Sequence, residues 1–126
     1  MKIKTLSRGQ VRSLLKLQNG RCAISGKKIH PSMVSIDHIY PVSRSKEFGD
    51  KKGFGKYWLV DPDINRMKGS LTVEELRIKI SMIDNFKQES DKIRKTLLNN
   101  DLEEMSKSEF DEYIKSNYDE NGVVKD

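Results

Sequence analysis

The chain has 126 residues, a formal net charge of +5, one cysteine, two histidines and one tryptophan. That length suits one domain with its own core, and a single cysteine excludes both a disulfide framework and an all-cysteine zinc site within the chain. No run approaches the roughly 20 apolar residues of a membrane span and "MKIKTLSRGQ" has no apolar leader core, so a cytoplasmic protein without membrane contact is expected.

The charge is unevenly placed. Residues 1–70 carry 15 Lys+Arg and 5 Asp+Glu, a net of +10, whereas residues 71–126 carry 9 and 14, a net of −5. A basic front with an acidic rear fits a polyanion bound on one side, although a solvated basic surface reads the same way.

Taken in chain order, the first element predicted is a helix capped by Ser7, with Val11, Leu14 and Leu15 on one face and Asn19-Gly20 as its stop. "RCAISGKKI" holds two short apolar pieces around Gly26, the mark of a hairpin-like turn. "MVSID" alternates as a strand does, and Pro41 closes it because proline cannot donate to a ladder. Residues 43–56 form a loop rich in Gly and Lys, and "YWLV" is the next strand.

"DPDINRMKG" predicts a compact helix, with Asp61 as N-cap, Pro62 at the first helical position and Gly69 as its end. Thr72 and Glu75 form a capping box before a long helix, Leu71 to Leu98, with Leu76, Ile80, Ile83, Phe86, Ile93 and Leu97 near helical spacing. Ser106 and Glu109 repeat the device before Phe110, Tyr113 and Ile114, and a frayed tail is expected over 119–126.

The order strand, loop, strand, short helix across residues 33–68 puts Asp37 and His38 at a strand end and Asn65 on the short helix. "IDHIYPVS" followed by "DINRMKGS" resembles the HNH nucleases, whose ββα-metal motif has an Asp-His pair on its first strand and an Asn or His on its helix. "LQNGRCAISGKKI" looks like the knuckle preceding that motif, and "DINRMKGSLTVEEL" is also similar to the HNH domain of RNA-guided CRISPR nucleases. The resemblance covers roughly residues 11–76.

What the resemblance implies is an α+β fold with a small, treble-clef-like ββα-metal core, an N-terminal helix and added C-terminal helices. The chain would be a single domain over 1–126, with the core at about 20–70 and a helical extension at about 71–118. The implied activity is metal-dependent endonucleolytic hydrolysis of DNA; the oligomeric state stays open, with a monomer slightly favoured over a homodimer because one site per chain reaches one strand at a time. A phosphodiester is negatively charged, and its cleavage needs an activated water and a stabilised leaving oxygen. His38 suits the general base, since histidine titrates closest to working pH. Asp37 and Asn65 would offer oxygen ligands to Mg²⁺ or Mn²⁺. Lys46, Lys51, Lys52, Lys56, Arg66 and Lys68 would contact DNA.

Each residue also has a plainer role. His38 could be a structural histidine, Asp37 a turn or cap residue before Pro41, Asn65 a surface position, and Arg66 and Lys68 ordinary solvated cations. His30 reads as a turn residue, and Trp58 and Phe54 as core. The family's zinc-holding cysteines fall on Cys22, Ser25, Asp61 and Ile64, so a structural zinc is not expected, and burial by the later helices is expected in its place. The family's middle position, whose backbone carbonyl commonly orients the base, falls on Lys56. These departures leave open a catalytically degenerate DNA-binding or nuclease-associated module on the same fold.

Overall fold

The structure, a computed structural model, describes residues 6–125; the first five residues of the stretch read for a leader and Asp126 of the expected tail lie outside the described residues. The chain is mixed α and β and divides into two compact units, Met1–Asn85 and Phe86–Asp126.

In the first unit, α1 (Arg8–Leu17) starts at Ser7, whose hydroxyl accepts from the Gln10 amide while the Gln10 side chain accepts from Ser7 N–H. The reciprocal pair satisfies two amides that an open helix end would leave bare. After Asn19 and Gly20, both at positive φ, the turn around Gly26 closes through a bridge between Arg21 and Lys28.

Strand β1 (Ser35–His38) pairs antiparallel with β2 (Tyr57–Val60), setting Asp37 opposite Trp58 and His38 opposite Tyr57. The connection expected as a plain loop holds a 3-10 turn, Val42–Arg44, and a one-turn helix α2 (Ser45–Phe48). Helix α3 (Pro62–Lys68) is built as its sequence requires. The Asp61 carboxylate accepts from the Asp63 and Ile64 amides, Pro62 is in the first turn, and Gly69 ends it at φ 52°.

Cys22, Ile29, Leu59 and Val60 are the buried centre, flanked by Val11, Leu14, Leu15, Trp58 and Ile64. Gln18 seals the outer edge of β2: its side-chain amide donates to the Leu59 carbonyl at 2.8 Å and accepts from the Leu59 amide at 2.9 Å. A side-chain amide has the donor and acceptor of a peptide group, so one residue does the work of a strand at this edge.

Helix α4 (Val73–Asn85) opens with the expected Thr72–Glu75 capping box, in which each residue's side chain accepts from the other's amide. Arg44 locks this start in place, pairing with Glu75 and Glu47 and donating to the Ser70 carbonyl. The guanidinium holds the Glu75 carboxyl down at about 2. The long helix expected to run on to Leu98 breaks at Phe86, just after Asp84 and Asn85, whose short polar side chains favour turns over helix interiors.

The second unit holds α5 (Lys87–Asn99) and α6 (Lys107–Asn117). Its tail is folded back and not frayed: Asp119 donates to the Val123 carbonyl, Lys125 donates to the Asn117 carbonyl, and Gly122 takes a positive φ. Burial by the later helices stops early. Val73 and Leu76 are buried, but no described residue beyond Leu76 is. Among the described residues no helix is long and apolar enough to cross a membrane.

Candidate functional site

Strand alternation sends neighbouring side chains to opposite faces, and Asp37 falls on the inner one. It is only 7% exposed, beneath α3. A buried carboxylate needs partners for its charge and lone pairs. Lys68, in the last turn of α3 and 1% exposed, supplies the charge: its ammonium lies 2.9 Å from Asp37 Oδ2 and 3.2 Å from Oδ1. Trp58, the residue opposite Asp37 in the sheet, donates its indole N–H to Oδ2 at 2.7 Å. The ammonium also donates to the His38 carbonyl at 3.1 Å.

Lys68 therefore departs from its expected place. Read in the sequence as a DNA contact, it is buried and hydrogen-bonded inside the protein. The other five expected DNA contacts, Lys46, Lys51, Lys52, Lys56 and Arg66, are exposed. Arg66 is paired with Asp63. Lys56 extends the ladder of β1 and β2, its carbonyl accepting the Ile39 amide at 3.1 Å.

His38 is half-buried at the end of β1, its ring against Tyr57 with centroids 4.6 Å apart. Asp37 and His38 line one cavity of about 250 Å³, together with Pro41, Val42, Ser43, Lys68, Gly69 and Ser70. A larger recess of about 380 Å³ lies between α1 and residues 55–57, lined without an acid or a histidine. Asn65 is half-buried on α3, one turn before Gly69, and is not among the residues lining the smaller cavity.

A divalent cation was expected between Asp37 and Asn65. Both Asp37 oxygens already have donors, the nearest positive charge belongs to the protein, and Asn65 is outside the cavity lining. Among the described residues no three of His, Cys, Asp and Glu come together as a metal-ligand group. In this arrangement the residues do not fit a divalent cation.

The four positions that would match a zinc knuckle hold hydrogen bonds. The Ser25 amide donates to Cys22 Sγ at 3.5 Å, while Asp61 accepts from the Ile64 amide at 3.4 Å and pairs with Lys27 at 3.5 Å. Burial pushes the Cys22 thiol up, but hydrogen bonds from the Ser25 side chain and from the Ser25, Asp61 and Ile24 backbone outweigh it and set the thiol below its ordinary value.

His30 is the turn residue its sequence suggested, its Nδ1 accepting from the Ser32 amide at 3.2 Å. Two residues carry more than their sequence showed. Lys68 compensates Asp37 and Gln18 seals β2, and both act across 31 or more residues, so no local spacing marked them. Compared with known proteins, the chain matches no family model and no curated protein.

Proposed function

We propose that the chain is an HNH-type endonuclease that hydrolyses DNA phosphodiester bonds, with His38 as the general base. The observation that carries this reading is the convergence of Asp37 and His38 on one cavity, beside a loop whose lysines 46, 51, 52 and 56 are exposed. The order β1, β2, α3 agrees with the ββα core that the sequence resembles. Charge supports it too: residues 1–85 carry 17 Lys+Arg against 8 Asp+Glu, a field that draws a polyanion.

In this mechanism His38 removes a proton from a water in the cavity, the water oxygen attacks phosphorus, and the P–O bond to the leaving oxygen breaks. A base placed this way contributes ~10²–10⁴-fold. While Asp37 stays paired with Lys68, the chemistry rests on His38 and its water. The cation implied by the resemblance has no step here.

The pairing of Asp37 with Lys68 favours a second reading, a DNA-binding module on the same fold that does not cleave. Incubating purified protein with supercoiled plasmid, with Mg²⁺ or Mn²⁺, separates the two. Cleavage that is lost in His38→Ala supports the nuclease. Salt-dependent DNA binding without cleavage supports the module.

A further inference from the structure

We infer that the recess of about 380 Å³ between α1 and residues 55–57 receives an unstacked DNA base, so that the DNA this chain takes carries an extrahelical nucleotide. The inference rests on the DNA reading proposed above and deepens it, but it does not rest on cleavage. The recess falls within the roughly 300–1,000 Å³ of small-ligand sites.

Its lining suits a flat ring with polar edges. Leu6 and Leu14 supply apolar surface and Tyr57 an aromatic side chain. Any base can stack on an aromatic ring, because every base has a π face. Gln10 and Ser13, about one turn apart on α1, line the same recess. Gln10 Oε1 accepts from the Ser7 amide, which leaves the Gln10 side-chain N–H groups without a partner among the described residues. Ser13 Oγ donates to the Gly9 carbonyl at 3.1 Å and keeps its lone pairs for an incoming donor. The wall thus offers a donor and an acceptor, the two groups that base edges present. Gly55 stands at φ 84°, and beyond its chain neighbours nothing lies within 4 Å of where a Cβ would be, so the rim is open on that side.

Position ties the recess to the proposed cleavage site. Cross-strand partners share a face of the sheet, so Tyr57 stands beside His38, with ring centroids 4.6 Å apart. A base in the recess would lie one side chain away from the proposed general base. Lys56 also lines the recess, exposed and in no ion pair among the described residues, where its ammonium would meet the phosphate of the same nucleotide. A base inside a duplex is stacked and paired, so a nucleotide already outside the stack enters without the cost of extrusion.

The test measures equilibrium binding of the full-length protein, in a chelator so that no metal-dependent cleavage intervenes, to two duplexes of one sequence. One carries a single adenine bulge, the other an abasic bulge at the same place, so that charge is matched and only the base differs. The expected result is tighter binding of the adenine bulge by at least about fivefold, the lower end of what stacking one base contributes. In Tyr57→Leu the ratio of the two affinities should fall to about one. Should Tyr57→Leu not fold, Ser13→Leu decides it, because Ser13 is exposed and the larger side chain would occupy the recess and lower the ratio likewise. Equal affinities in wild type, or a ratio that the folded variant leaves at its wild-type value, overturn the inference and leave the DNA reading standing. Failure to bind either duplex overturns both. Loss of cleavage touches neither readout, so the proposed activity fails separately, through His38.

Discussion

Removing one partner of the Asp37–Lys68 pair should cost far more than removing both. Lys68→Met leaves a carboxylate at 7% exposure with only the Trp58 indole to meet it. Asp37→Asn leaves an ammonium at 1% exposure facing a neutral amide. Breaking a buried pair from one side typically costs ~3–5 kcal/mol, because an uncompensated charge stays in a poorly polarisable surround. Replacing both partners by neutral groups of similar volume is often close to neutral. Here the double variant also keeps an amide oxygen for Trp58. With single losses of that size and a double variant near neutral, the coupling should exceed the ~0.5–3 kcal/mol that contacting residues usually show. For a unit of 85 residues, a single-variant loss of ~3–5 kcal/mol lowers Tm by roughly 12–40 °C, so each single variant should be largely unfolded well below the wild-type midpoint. Urea melts followed by Trp58 fluorescence measure all four corners of the cycle, and that one tryptophan lies in the same unit as the pair. If the two single losses simply add in the double variant, the pair is not the mutual compensation described above, and the reasoning fails.

Other perturbations should separate the site from its frame. His38→Ala should lower plasmid cleavage by ~10²–10⁴-fold while leaving the melt and DNA affinity near wild type; an unchanged rate would remove His38 as the base. Neutralising Lys51 and Lys52, both exposed, should weaken DNA binding regardless of sequence and flatten the log–log salt slope by roughly one unit per lost phosphate contact. Equal effects from Lys107→Gln and Lys115→Gln, in the acidic second unit, would contradict that polarity. Glu75, held at about 2 from an ordinary value near 4.5, contributes stability that is present above pH 4.5 and lost as pH falls through about 2. The stability gap between wild type and Glu75→Gln should therefore close across that acid window, and a gap independent of pH would refute the assignment to Arg44.

Much of the frame was legible in the sequence because its causes are local. Ser7 with Gln10, Thr72 with Glu75, and Asp61 with Pro62 and Gly69 each satisfy helix-end amides or carbonyls within a few residues, and each stands where the spacing puts it. The strand expected over "MVSID" stands at Ser35–His38 and "YWLV" is the strand its sequence suggests, whereas their antiparallel pairing came from the fold. The single continuous helix to Leu98 failed because apolar spacing alone does not hold a helix together. Past Leu76 no described side chain is buried to outweigh the weak helix formers Asp84 and Asn85.

What the tertiary structure alone decided is who neutralises Asp37. The sequence put an aspartate and a histidine at the end of a strand and a lysine on a helix 31 residues away, and nothing in that spacing separates a solvated lysine from a buried one. Only the packing of α3 over β1 does. Once Lys68 is out of water, its charge and hydrogens must be met by whatever acceptors lie within reach, and these are the Asp37 carboxylate and the His38 carbonyl. Desolvation is a property of the folded surface, so the cation that Asp37 holds is fixed by contact across the fold and not by any pattern along the chain.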